Sequence, residues 1–257
     1  MDNQAICYEQ PLNERVRVLL RLEFLFEQFY FFLEQESTWA SRGALQALFE
    51  ILNLTARSDL KPELRKELDR HGNALSRLRK TAGVDTQALN TILDVVSEAI
   101  ARIQHTDTVA LEEVRQNDFL AGIRQRSVIP GGTCLFDLPG LHHWLLRDPA
   151  TRQDHLQRWI APFKPWDHGI ELILRLIRDS ATATRELAEN GFFQRSLDSN
   201  APSQLIRVLL PTDTMVYPEI SGGRHRFTIR FMEQADPNQR PTQTTEAVAF
   251  QLVCCVI

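Results

Sequence analysis

From Asn13 to Glu189 the apolar residues recur at helical spacing. Leu64, Leu68, Leu75 and Leu78 fall on one stripe, with His71 in the gap of a 4-3-4-3 pattern. Leu89, Leu93, Val96, Ile100 and Ile103 form a second stripe, and Leu45, Leu48 and Leu52 a third. Residues at these spacings share one face of a helix and need a core to cover them. On its apolar stripe, His71 is expected as a packed or half-exposed residue instead of a ligand. Start signals agree: Asn13 follows Pro11, Asp59 precedes Pro62, and Asp85 opens the fourth helix. The pattern predicts antiparallel helices in a bundle.

After Gly191 the period changes to two. Leu205, Arg207 and Leu209 alternate with Ile206, Val208 and Leu210, and Val248, Phe250, Leu252 and Cys254 make a similar row. Pro218, Gly222-Gly223 and Pro237-Asn238 punctuate these strands. The fold class expected is therefore α+β, an α-helical bundle over residues 10–190 with a small antiparallel β-sheet domain over 191–257. Residues 5–9 and 133–136 are further strand candidates, and the sheet is expected to pack against the bundle.

Between these parts Arg124-Gln125-Arg126 leads into Ile129-Pro130-Gly131-Gly132. Pro130-Gly131 suits the centre of a type II turn, whose second central residue needs positive φ. Asp137 is expected as an N-cap, with Pro139 in the first turn of a helix running through Leu146. Helix, turn, short extended piece and helix is the order predicted.

Alternation also sorts the run Arg224 to Phe231. Arg224, Arg226, Thr228 and Arg230 share one face, and Phe227, Ile229 and Phe231 share the other. No acidic residue within the strand neutralises the arginines. On the first helix Arg17 and Arg21 stand at i,i+4, where like charges repel, and only Arg17 has a local offset, Glu14 at i−3. Arg124 and Arg126 close another helix, and His142 follows the proline-glycine turn. Isolated exposed arginines are ordinarily solvation and weak ion pairs. Gathered on three segments of a chain with formal net charge −4, they point to a docking surface for an acidic partner.

Composition narrows the alternatives. A 257-residue chain with 43% hydrophobic and 24% charged residues is an ordinary globular sequence, which excludes global disorder and low complexity. The acidic balance argues against a general nucleic-acid coat, and few aromatics interleave the arginines for base stacking. A nucleic-acid-binding module on the same patch is the alternative reading. Cys7, Cys134, Cys254 and Cys255 have no metal or redox spacing and read as free thiols. The N-terminus lacks a signal-peptide pattern, and Leu22–Leu33 is too short and too charged to span a bilayer. A cytoplasmic protein without membrane insertion is expected.

Catalytic motifs were sought by their mechanics. There is no phosphate-cradling loop with a trailing lysine, no G-x-G-x-x-G after a strand, no H-E-x-x-H and no G-x-S-x-G. His142 and His143 are adjacent and cannot grip one metal from one helix face. Asp167-His168 beside Trp166 reads as a helix-start aspartate with a polar neighbour. A hydrolase using His142, His168 or Asp137 is a weighed rival, but no enzyme and no cofactor is expected.

Three islands, in order, carry a resemblance. Glu9-Gln10-Pro11-Leu12-Asn13-Glu14, continuing through Arg17 and Leu20-Arg21-Leu22-Glu23-Phe24, resembles the N-terminus of the ZapD family of Z-ring-associated division proteins of proteobacteria. Arg124-Gln125-Arg126 with Ile129-Pro130-Gly131-Gly132, Phe136-Asp137-Leu138-Pro139 and Leu141-His142 resembles its central signature. Val216 to Gly222, then Arg226-Phe227 and Ile229-Arg230-Phe231-Met232, resembles its third. The resemblance implies an adaptor with a helical and a small β domain. It implies a homodimer that binds the C-terminal tail of the tubulin-like protein FtsZ and cross-links FtsZ filaments into bundles at midcell. Carried over by position, the tail-binding residues would be Arg17, Arg21, Arg124, His142 and Arg226, with Arg230 added from the same strand face.

Overall fold

Asn13, Ser37, Asp85, Asp107, Asn117 and Asp148 each accept a hydrogen bond from a backbone N–H in the first turn that follows them, at 2.9–3.1 Å. These side chains satisfy N–H groups that have no partner inside a helix and so set where helices begin. The helices are α1 (Glu14–Leu33), α2 (Thr38–Ala56), α3 (Leu60–Arg77), α4 (Thr86–Gln104), α5 (Thr108–Gln116), α6 (Asp118–Ser127), α7 (Pro139–Leu145), α8 (Pro149–Ile160) and α9 (Lys164–Arg178). The strands are β1 (Ala5–Pro11), β2 (Thr184–Ala188), β3 (Phe192–Ser196), β4 (Ser203–Pro211), β5 (Val216–Gly222), β6 (Arg226–Glu233), β7 (Thr242–Gln243) and β8 (Val248–Val256). The fold is α+β. This computed structural model describes residues 5–56, 60–198, 203–223 and 225–256. Asp59 and Arg224, both singled out in the sequence, lie outside the described residues.

The chain divides into two compact units, Leu20–Ile173 and Met1–Leu19 with Leu174–Ile257. In the first, the predicted stripes supply the core. Leu45, Leu48, Leu52, Leu64 and Leu68 are all buried, as are Leu89, Val96 and Ile103 of α4. The α3 stripe then runs out: Leu75 is half-buried and Leu78 exposed, where α3 gives way to a short 3₁₀ turn. His71 is fully buried, its Nε2 3.5 Å from Glu67 Oε1.

The unit also buries a cation. Arg152 of α8 is only 4% exposed and donates to the Ser41 hydroxyl at 3.0 Å and the Leu145 carbonyl at 3.1 Å. Its remaining donors reach the carbonyls of Arg147 and Glu36. One planar fork thus ties the end of α7 and the segment entering α2 to α8, and satisfies backbone acceptors that water does not reach. From α1, the Tyr30 hydroxyl donates to Asp167 Oδ2 of α9 at 3.0 Å. Burial pushes the Asp167 carboxyl above its ordinary range, against the lowering effect of that hydrogen bond.

In the second unit, the strands form two antiparallel four-stranded sheets, ordered β1-β4-β8-β2 and β3-β6-β5 with β7 on β6. Their apolar faces close on each other. Ile206, Val208 and Leu210 of β4 and Phe250 and Leu252 of β8 meet Phe227, Ile229 and Phe231 of β6. A single sheet had been expected; a second is present, and each covers the apolar face that alternation gives the other. Glu9 of β1 accepts from Arg178 at 2.8 and 2.9 Å and lies 2.9 Å from Arg207 Nε, which fixes β1 and the end of α9 to β4.

Residues 133–136 are the other correction. They form turns, not a strand. Gly132 N donates to Ile129 O, Cys134 N to Gly131 O and Leu138 N to Cys134 O, at 2.9–3.1 Å, so local turn bonds take the place of strand pairing.

Two measurements follow from these buried groups. Arg152→Met should destabilise the protein by about 2–4 kcal/mol in denaturant unfolding, because several carbonyls lose their donor. Arg152→Lys should restore little of it, since one ammonium cannot reach the same diverging acceptors. For Asp167, a raised folded pKa means that stability is fully present below the unfolded pKa and lost as pH rises through the folded one. The stability of Asp167→Asn relative to wild type should therefore increase on going from about pH 4 to pH 7. A relative stability that falls over that interval would contradict the assignment.

Candidate partner-binding surface

Strand β6 sorts its side chains as alternation requires. Phe227, Ile229 and Phe231 are at most 1% exposed, whereas Arg226 and Arg230 are exposed. The sheet adds neighbours that the strand alone does not have. Arg226 stands opposite Ser196 of β3, and Arg230 is flanked by Phe192 of β3 and Glu219 of β5. Glu219 thus places an acid opposite Arg230 on the face of β6 that has none of its own, without an ion pair between them among the described residues, and Phe192 and Tyr217 bring aromatic surface. No ion pair forms with Arg226 among the described residues.

The start of α1 is held against this sheet pair. Leu12 N donates to Gln204 O at 3.0 Å and Asn13 Nδ2 to Gln204 Oε1 at 2.7 Å. A Cβ on Gly222 would meet Leu12 Cδ2 at 2.5 Å, so the end of β5 packs closely on the Leu12 side chain. Gly222 pairs with Phe227, the residue after Arg226. Arg17, one turn into α1, is half-buried and ion-paired with Glu14. The unit built around the sheets therefore holds Arg17, Arg226 and Arg230.

The helical unit holds Arg21, Arg124 and His142. Arg21 is exposed and has no ion-pair or hydrogen-bond partner among the described residues. Phe24 and Phe31, each 63% exposed, continue its face of α1 at spacings of three and four with Gln28. Arg124, near the end of α6, and His142 of α7 are half-buried. Neither side chain has a partner among the described residues.

The segment between α6 and α7 is tightly closed. Gly131 has φ +72°, the conformation the type II turn demands. A Cβ on Gly132 would lie 2.5 Å from the Arg126 carbonyl oxygen. The two glycines thus have different reasons: one supplies a left-handed φ and the other a close backbone approach. Asp137 is not the N-cap expected of it. That position falls to Leu138, which makes no side-chain cap. The Asp137 carboxylate instead lies 3.7 Å from Arg126 and accepts from Cys134 Sγ at 3.2 Å, bracing the base of the loop.

Large apolar side chains stand out of this loop and beside it. Phe136, Val128, Leu135 and Ile129 project from it, and Trp39 from the first turn of α2. For the four loop residues, a non-periodic segment left no face to assign them to.

Among the described residues no group of three or more His, Cys, Asp or Glu is arranged to hold a metal ion, and no helix is long and apolar enough to cross a membrane. Burial pushes the Cys255 thiol up to about 12 and also raises Cys254, which keeps both protonated at neutral pH.

The loop's two glycines can be told apart by substitution. Gly131→Ala should cost about 1 kcal/mol through its positive φ. Gly132→Ala should cost more, because its Cβ meets backbone that the Arg126–Asp137 contact holds in place. Denaturant unfolding of both variants measures the order, and equal small losses would contradict the close approach.

Comparison with known proteins agrees with the three sequence islands. Residues 20–230 match the ZapD family, described as a cell division protein. Over 258 aligned positions the chain is 45% identical to the cell division protein ZapD of Methylococcus capsulatus (strain Bath), with all of both chains covered. The chain belongs to the ZapD family of cell division proteins.

Proposed function

We propose that the chain is a cytoplasmic division adaptor acting at the midcell Z-ring. It captures the C-terminal tail of FtsZ on its basic residues and, as a homodimer, cross-links FtsZ filaments into bundles. Membership of a cell division family supports the setting. The observation that carries the reading is the set of cations left without partners among the described residues, Arg21, Arg124 and Arg226, on a chain of net charge −4. Arginine forks accept carboxylates in a bidentate geometry, so such cations favour an acidic peptide. Arg17, His142 and Arg230 would extend the surface.

Affinity for a single tail need only be on the order of micromolar. A dimer facing a polymer that displays many tails gains roughly 10²–10⁴ in avidity when both ends engage. Bundling by this route needs no nucleotide, cofactor or catalytic step.

Pelleting with FtsZ polymers tests the proposal. Arg21→Glu or Arg226→Glu should abolish co-sedimentation and bundling while circular dichroism and the unfolding midpoint stay unchanged. FtsZ lacking its C-terminal tail should behave the same way with the wild-type chain. Bundling that survives both charge reversals would sink the assigned surface.

A further inference from the structure

The loop between α6 and α7 keeps large apolar side chains in water. Phe136 is 84% exposed, Val128 81%, Leu135 56% and Ile129 48%, and Trp39 of α2 is 78% exposed. Single exposed apolar residues are normal, but a gathered set marks a contact surface. Specific bonds bring Trp39 to the loop that carries the other four. Arg42 of α2 reaches across to the loop, donating to Thr133 O at 3.1 Å and to its hydroxyl at 3.3 Å. Its guanidinium lies 5.5 Å from the Trp39 ring centroid, so Arg42 bridges Trp39 to Thr133, two residues before Leu135 in the loop. The i→i+3 turn bonds and the Arg126–Asp137 contact hold the loop in one shape, so no ordering cost falls on a ligand.

The surroundings select the ligand. Between residues 124 and 147 the chain carries Arg124, Arg126 and Arg147 against Asp137 as the only acid. This favours an anionic partner. A lipid surface calls for a cluster of about four to eight free cations. Here Arg126 faces Asp137, and Arg42 is engaged with Thr133 and Trp39, which leaves too few. A peptide that combines carboxylates with large apolar side chains fits both halves of the patch.

We propose that Trp39 and the 128–136 loop form an apolar receptor for an acidic peptide, with Phe136 as the main anchor and Arg124 taking a carboxylate beside it. The assignment rests on the tail-capture reading and identifies where the apolar residues of that tail would bind. Aromatic anchors of this kind dominate the energy of small interfaces, while charges contribute a salt-dependent share.

Anisotropy titration of a labelled peptide of the FtsZ C-terminal tail against the full chain, at low and high salt, provides the test. Phe136→Ser should weaken binding at least about tenfold, by the same factor at both salt concentrations, with an unchanged unfolding midpoint. Arg124→Glu should weaken it by a factor that shrinks at high salt. A peptide whose large apolar residues are replaced by serine should bind wild type and Phe136→Ser equally. Unchanged affinity in both Phe136→Ser and Trp39→Ala overturns the receptor. So does a Phe136→Ser defect confined to phosphatidylglycerol vesicles, which would assign the patch to lipid. If Arg21→Glu and Arg226→Glu bind the peptide normally while Phe136→Ser does not, the receptor stands and the basic-surface assignment falls. No binding by the wild-type chain overturns both.

Discussion

The guanidinium of Arg152 sets the geometry on which the helical unit's exposed features depend. It takes backbone carbonyls at the end of α7 and ahead of α2, together with the Ser41 hydroxyl inside α2. Helix α7 carries His142, and α2 carries Trp39 and Arg42. Arg42 in turn grips Thr133, in the loop that leads into α7. One buried side chain therefore ties together both supports of the loop that presents Phe136. The arrangement is rigid because the alternative is several buried carbonyls without donors, each costing about 1–3 kcal/mol.

In the sheet unit the governing constraint is the pleat. Burying Phe227, Ile229 and Phe231 in a core shared by two sheets commits Arg226 and Arg230 to solvent. The sheets are linked at their edge by Glu186 of β2 and Arg195 of β3, 2.7 Å apart, and the Arg195 guanidinium also lies over the Phe193 ring. The exposed face then acquires neighbours from strands distant in sequence. Glu219 beside Arg230 tempers the charge at one end, whereas Arg226, opposite Ser196, keeps it. The two arginines of one strand are thus not equivalent: Arg226 is the stronger candidate for meeting a carboxylate.

The apolar loop and the exposed arginines differ in physical character. Charge acts at long range, whereas an apolar patch acts only at contact. Both parts sit on elements whose conformation is fixed by caps, tight turns or sheet pairing.

Much of the fold was legible along the chain. Stripes at three and four residues identified the helices that bury Leu45, Leu48, Leu64 and Leu68, because helical period alone decides which side chains share a face. Alternation separated Phe227, Ile229 and Phe231 from Arg226 and Arg230 for the same reason. The Pro130-Gly131 turn was legible because positive φ is a local demand. Tertiary structure alone decided what depends on partners far apart in sequence: the pairing of two sheets, the capture of Asp137 by Arg126 instead of the α7 N-terminus, and the burial of Arg152. It also decided that Phe136 and Trp39 remain in water. Periodicity assigns a residue to a face of its own element, but only packing determines whether another element covers that face.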